Sequence, residues 1–216
     1  MTISAVIFDL DGTVLDNEDE YGSAFRKVLA SLGKRVDKKY PHTQGIGVKE
    51  NWPVLLAKYS IKTKKTIEEL TRATQDAYLA QLTFVNYVRG FENFVDKLKD
   101  SGIKVALATS NTWWIVDEVS ENLNLDEIFS VITTAEEAVF NKPDPEIFVL
   151  TADKLGFEPE KCLVIEDSVA GIEAAKRAGM KVIGIARDSK HANDLKEADF
   201  VVTDYTQISP QKIAKL

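Results

Sequence analysis

The chain holds one cysteine among 216 residues and no apolar run approaching the ~20 residues that a bilayer-spanning helix needs. A lone cysteine has no partner for a disulfide within the chain, and Cys162 opens the apolar run Cys162-Leu163-Val164-Ile165, where it is expected to pack as a small hydrophobe. The missing apolar run argues against a membrane role. The first residues enter a strand pattern without the basic flank and long apolar stretch of a signal peptide, so a cytoplasmic location is expected. Positive charge is not in excess either. Lys and Arg number 27 against 34 Asp and Glu, and the net charge of -7 argues against a nucleic-acid partner, whose footprint would be a basic surface. A small phosphorylated metabolite remains compatible, because it needs only local positive potential. Internal repeats and low-complexity segments are absent, and a monomer or weak homodimer is expected.

What is present is a globular composition, 44% hydrophobic and 28% charged, in a chain long enough for one large domain or a core with a smaller insert. Short apolar runs recur at Ala5-Phe8, Lys104-Ala108, Phe129-Ile132, Cys162-Ile165, Lys181-Ile185 and Phe200-Val202. Most are apolar throughout, as parallel strands covered on both faces should be. Helical faces lie between them, with Phe91, Phe94, Val95 and Leu98 on one and Phe148, Ala152 and Leu155 on another. Gly102, Gly156 and Gly179 stand where helix C-caps belong. The alternation predicts a doubly wound, Rossmann-like α/β core from residues 1–15 and 88–216. Residues 16–87 show helical periodicity only and are expected to form an inserted α-helical cap. Within it Phe25, Val28, Leu29 and Leu32 share one face, Trp52, Leu55, Leu56 and Tyr59 another, and residues 66–82 a third helix. Asn17 and Glu20 have the spacing of a capping box.

In such a sheet ligands bind beyond the carboxyl ends of the strands. Asp9 and Asp11 stand there after Ala5-Phe8, two residues apart, so both point one way if strand geometry persists. Asp11-Gly12 is also an ordinary turn signal. Three further polar signatures follow later strands: Thr109-Ser110-Asn111, Lys142-Pro143-Asp144-Pro145 and Glu166-Asp167-Ser168. Each has a plain structural reading as a cap or loop, and for Glu166-Asp167-Ser168 a helix cap and a ligand role can hold together.

In this order, these residues resemble the four motifs of the haloacid dehalogenase superfamily, in the phosphatase branch with a helical cap that includes phosphoglycolate phosphatase and β-phosphoglucomutase. The resemblance covers essentially the whole chain. It implies that Asp9 is the nucleophile, forming an aspartyl-phosphate that water hydrolyses, and that Asp11 is the general acid/base. It implies Mg²⁺, held by the Asp9 carboxylate, the Asp11 carbonyl and the Asp167 carboxylate, with Glu166 acting behind them or through water. Lys142 and the Thr109 hydroxyl would face the transferring phosphoryl group, joined by amides near Ser110 and Asn111. Asp11 separates the chain from the dehalogenases, whose leaving halide needs no proton. The resemblance therefore implies a phosphatase for a small organic phosphate, with a sugar phosphomutase and a silent phosphate-binding protein as alternatives.

Substrate choice falls to the insert, where Gly45-Ile46-Gly47-Val48-Lys49-Glu50-Asn51-Trp52 is the candidate loop and Lys49 the candidate contact for an anionic group. In a second reading this loop feeds a helix, with Trp52 in the core and Lys49 solvated. Arg89-Gly90 replaces the proline-glycine common at the second linker, bringing a guanidinium there. Of Trp113 and Trp114, one is expected in the core and the other at the entrance.

Overall fold

The apolar runs become strands whose side chains alternate between two buried faces. In the computed structural model, which describes residues 3–43 and 45–214, the strands are β1 (Ala5–Phe8), β2 (Leu15–Asp16), β3 (Asn86–Tyr87), β4 (Lys104–Ala108), β5 (Val131–Thr133), β6 (Cys162–Glu166), β7 (Lys181–Ile185) and β8 (Phe200–Val202). Six of them form one parallel sheet in the order β5-β4-β1-β6-β7-β8, with Phe8 beside Leu107 on one flank and Ile165 on the other. Strand order runs outward in both directions from β1, so the crevice for ligands opens at its carboxyl end. This is the doubly wound α/β fold that the alternation predicts.

Period two divides β1 between two cores. Ala5 and Ile7 pack with Val164 and Val182 against Phe148 and Ala152 of α7 (Glu146–Leu155) and Ile172 and Ala175 of α8 (Val169–Arg177). Phe8 faces the other way, into an aromatic cluster with Phe91 and Phe94 of α4 (Phe91–Asp100), Phe129 and Tyr205, at centroid distances of 5.6, 6.3, 5.8 and 6.1 Å. The remaining helices of this unit are α5 (Trp113–Leu123), α6 (Leu125–Ile128), α9 (Ser189–Asp194) and α10 (Pro210–Ile213).

The chain divides into two compact units, residues 1–16 with 86–216 and residues 17–85. The second contains α1 (Glu18–Ser31), α2 (Val48–Lys58) and α3 (Ile67–Leu79). Its core joins the predicted faces, with Phe25, Val28 and Leu29 meeting Trp52, Leu55 and Leu70. Trp52 is fully buried, and its indole N–H donates to Thr74 Oγ1 at 3.1 Å.

Several local expectations need correction. Asn17 caps α1 without a side-chain bond to the helix, and its amide donates instead to the Tyr78 hydroxyl at 2.9 Å. The insert's capping box is Thr66 with Glu69, at the start of α3. Strand β5 begins at Val131 rather than Phe129, because Phe129 belongs to the aromatic cluster. The two-residue antiparallel ribbon of β2 and β3 is too short for any periodic signal. The candidate loop ends at Gly47, and Lys49 lies on α2 in an exposed pair with Glu68 at 3.4 Å. Asn51 pins that loop, accepting from the Thr43 N–H at 2.7 Å and donating to the Thr43, Ile46 and Gly47 carbonyls. Neither tryptophan of the pair is core, since Trp113 is exposed and Trp114 half-buried. Cys162 is fully buried as expected, and burial followed by the charge of Glu160 pushes its thiol up to about 11.

Trp52→Ala removes the largest side chain of the helical core and is expected to cost about 3–5 kcal/mol in urea unfolding. Trp52→Phe should cost less, because a phenyl ring refills part of the indole's volume although the bond to Thr74 is lost. Equal losses for the two variants would show that the indole's volume is not what holds the three helices together.

Candidate active site

The carboxyl ends of β1, β4 and β6 each contribute a polar group to one small volume. Beyond Phe8 the Asp9 N–H still donates to the Ile165 carbonyl at 3.0 Å, so Asp9 continues the ladder beside Glu166. The chain then turns. The Leu10 carbonyl accepts the N–H groups of Val14 and Leu15 at 2.9 and 3.0 Å, and Gly12 takes a φ of +73°. A Cβ at Gly12 would stand 2.3 Å from Asp167 Oδ2. Glycine is therefore required both by the backbone and by the carboxylate pressed against it. Asp11 lies in this turn and accepts a bond at Oδ2 from Asn111 Nδ2, at 2.7 Å.

Lys142 reaches this point from the loop after β5. Glu146 holds that loop by accepting the Val139 and Phe140 N–H groups at 2.7 and 3.0 Å, while Arg177 donates to the Pro143 carbonyl at 3.2 Å. The Lys142 ammonium donates to Asp9 Oδ1 at 2.6 Å, Glu166 Oε1 at 3.0 Å and the Ala108 carbonyl at 3.3 Å. It also lies 4.9 Å from the centroid of the Phe148 ring. Its side chain is only 6% exposed, so all three oxygens bind it away from bulk water. The second oxygen of Glu166 accepts the Ser168 N–H at the start of α8. A Cβ at Gly171 would come within 1.8 Å of Glu166 Oε1, so the helix can carry only glycine at that point. Thr109 is buried at the end of β4, and its Oγ1 accepts the Asn111 N–H at 3.1 Å.

Burial dominates the electrostatics. It pushes Asp9 up to about 7, against the Lys142 charge and with the charges of Glu166 and Asp11 adding to it. Burial alone would discharge Lys142, but the charges of Asp9 and Glu166 overcome it and hold the ammonium protonated. The Tyr205 hydroxyl, which donates to the Thr13 carbonyl at 2.9 Å, is raised well above its ordinary value by burial and then by the charges of Asp9 and Asp167. Both carboxylates thus act on one buried point.

Four carboxyl groups, Asp9, Asp11, Glu166 and Asp167, stand here against the two cations Lys142 and Arg187, whose Nη1 lies 3.3 Å from Asp167 Oδ2. The imbalance and the all-oxygen donor set suit a hard divalent cation. Among the described residues no group of three or more His, Cys, Asp or Glu side chains is arranged to hold an ion on its own. Mg²⁺ commonly takes one or two carboxylates and keeps several waters. Asp9 and Asp167 would supply the carboxylates and the Asp11 backbone its carbonyl.

The structure therefore draws Asp9, Asp11, Thr109, Asn111, Lys142, Glu166 and Asp167 to the strand ends. Asn111 has other partners than the expected amide cradle: its N–H is taken by Thr109 and its side chain by Asp11. Ser110 is exposed and precedes α5, whose first residue is Trp113. Lys49 belongs to the helical unit, and Arg89 is exposed with Nη1 at 3.9 Å from Asp204. The sequence reading missed Arg187. It follows β7, the neighbour of β6, so the same strand-end argument applied to one more strand would have found it.

Residues 6–185 match the family described as haloacid dehalogenase-like hydrolase. The chain is 32% identical to the phosphorylated carbohydrates phosphatase of Thermotoga maritima, over 98% of this chain and 96% of that one. It superposes with a TM-score of 0.83 on the crystal structure of β-phosphoglucomutase from Clostridium difficile, at 28% identity over 99% of this chain and 96% of that one. The TM-score is also 0.83 for a mutant CbbY from Rhodobacter sphaeroides in complex with xylulose-(1,5)bisphosphate, at 26% identity over 95% and 96% of the two chains.

Lys142→Met would leave Asp9 and Glu166 buried together without their shared cation, and a loss of about 3–5 kcal/mol is expected in chemical denaturation at neutral pH. Adding Glu166→Gln should recover part of that loss. Recovery of nothing would show that Lys142 contributes through packing on Phe148 rather than through charge.

Proposed function

The chain belongs to the haloacid dehalogenase-like hydrolases and is an enzyme that cleaves phosphoric monoesters, and we propose that it is a Mg²⁺-dependent phosphatase of small phosphorylated sugars working through an aspartyl-phosphate on Asp9. The observation that carries this reading is the pair at the end of β1: Asp9 bound to a buried ammonium, and Asp11 two residues on, held by an amide donor.

In the first step an oxygen of Asp9 attacks phosphorus in line, and the bond from phosphorus to the leaving alkoxide breaks. Asp11 delivers a proton to that alkoxide. Asn111 Nδ2 donates to Oδ2 of Asp11 at 2.7 Å and so orients that carboxyl group. In the second step Asp11 takes a proton from water as the water attacks phosphorus, the bond from phosphorus to Asp9 breaks, and inorganic phosphate leaves. Lys142 and the Thr109 hydroxyl would face the phosphoryl oxygens and stabilise the charge that develops there. When bound between Asp9 and Asp167, Mg²⁺ would act as a Lewis acid and offset the repulsion between these carboxylates and a phosphate dianion.

Choice of substrate is assigned to the helical unit, residues 17–85. The similarity to β-phosphoglucomutase supports a second reading, in which the phosphoryl group returns to a sugar hydroxyl in place of water. The two readings share the first step and differ in what is admitted for the second.

With Mg²⁺ present, the chain is expected to release inorganic phosphate from members of a panel of sugar phosphates and phosphoglycolate. Asp9→Asn should lower that rate by about 10³-fold or more, and full activity in this variant would end the proposal. Conversion of β-glucose 1-phosphate to the 6-phosphate without net phosphate release would establish the mutase reading. Asn111→Ala is expected to lower kcat by about 10- to 100-fold while leaving KM within about twofold, the pattern of a misplaced proton donor.

A further inference from the structure

The two basic side chains at the strand ends are held in contrasting ways. Lys142 is buried and close, 2.6 Å from Asp9 with 6% of its side chain exposed. Arg187 is looser. Its guanidinium stands 3.3 Å from Asp167 Oδ2, longer than the ~2.7–2.9 Å usual for a charged pair, and a quarter of its side chain is exposed.

The backbone that presents Arg187 is held by bonds that do not involve its guanidinium. The Ala186 N–H donates to the Val202 carbonyl at 2.8 Å, and the Arg187 N–H donates to His191 Nδ1 at 3.3 Å. Asp188 caps α9 by accepting the His191 N–H at 2.8 Å. The loop after β7 thus holds Arg187 beside the loop after β6, while Gly12 bounds the Asp167 carboxylate on another side.

We infer that Arg187 is a positioning residue that stands in for the metal at Asp167: it holds the carboxylate when no cation is bound, and its positive charge lowers the affinity with which Asp9 and Asp167 take Mg²⁺. This rests on the reading of those two carboxylates as Mg²⁺ ligands. A guanidinium on Asp167 competes for the same lone pairs and repels a second cation approaching them. Because the side chain is partly exposed, it can turn toward water as a metal arrives. Lys142 is enclosed and stays. Arg187 thereby sets the Mg²⁺ concentration at which the site fills, a property separate from the chemical steps.

The test is Mg²⁺ titration of the full chain by calorimetry, without substrate, for wild type, Arg187→Met and Arg187→Gln. A partly exposed pair of this kind predicts roughly two- to fivefold tighter binding in both variants. Saturating Mg²⁺ should then raise Tm by more in the variants than in wild type, because the metal-free variants lack the guanidinium that steadies Asp167. Arg187→Gln keeps a neutral donor for Asp167 and serves alone if Arg187→Met does not fold. Binding no tighter than wild type in a folded variant, judged by circular dichroism, overturns the role of Arg187. Absence of Mg²⁺ binding in wild type overturns instead the assignment of Asp9 and Asp167 as ligands, and this inference with it.

Discussion

One ammonium group joins the ends of three strands, and the arrangement of the strand ends depends on it. Hydrophobic packing fixes the register of β1 against β6, with Phe8 beside Ile165, and so brings Asp9 and Glu166 side by side at the next position. Two buried carboxylates so placed repel each other and lose their hydration. Lys142 bridges them at 2.6 and 3.0 Å and reaches the Ala108 carbonyl at the end of β4 as well. The demand for a cation is therefore set by the core. A slip of one residue in β1 would turn Phe8 and Asp9 to opposite faces and remove both the aromatic contacts and the ion pair.

The parts of the fold that the sequence displays are those governed by burial. Runs apolar on every residue, such as Val105 to Ala108 and Cys162 to Ile165, have the pattern of strands covered on both sides, and they lie in the centre of the sheet. The helical faces follow for the same reason, since Phe91, Phe94, Val95 and Leu98 are all buried at helical spacing. Strand-end placement then located most of the polar cluster, because the four polar signatures all follow apolar strands and the sheet brings the ends of those strands together. Where burial does not decide, the reading weakened. Asn17 and Glu20 have capping-box spacing, yet a tyrosine 61 residues away takes the Asn17 amide, and no local pattern announces that partner. Asn111 is similar: its position after β4 was legible, but its bond to Asp11 spans 100 residues.

The helical unit shows the same division more sharply. Its core pattern was readable because Trp52, Phe25 and Leu55 had to be buried together. Its exposed groups were not, for periodicity assigns a face and leaves the partner open. Lys49 illustrates the difference, since it pairs with Glu68 at 3.4 Å while remaining more than half exposed. Such a pair contributes little to stability and leaves the side chain free to exchange partners. The partners of such exposed groups are set by neighbours that no local pattern announces, which is why the buried half of this unit is more legible than its surface.

Glycine supplies the steric counterpart of the charge arrangement. Gly12 and Gly171 have no charge, yet each fixes a carboxylate by admitting it where any Cβ would collide, at 2.3 Å from Asp167 and 1.8 Å from Glu166. Close approach to the backbone confines the carboxylates more tightly than side-chain packing alone could, because peptide planes do not change rotamer. A carboxylate so confined cannot swing away from a neighbouring negative charge, so repulsion must be met by a counter-ion brought to it. The glycines thus convert a tolerance for unfavourable charge into a requirement for cations: Lys142 meets it at Glu166, and Arg187 meets it in part at Asp167. Lys142 is shared with Asp9, so four carboxyl groups remain set against two cations at the point to which the proposed chemistry brings phosphate.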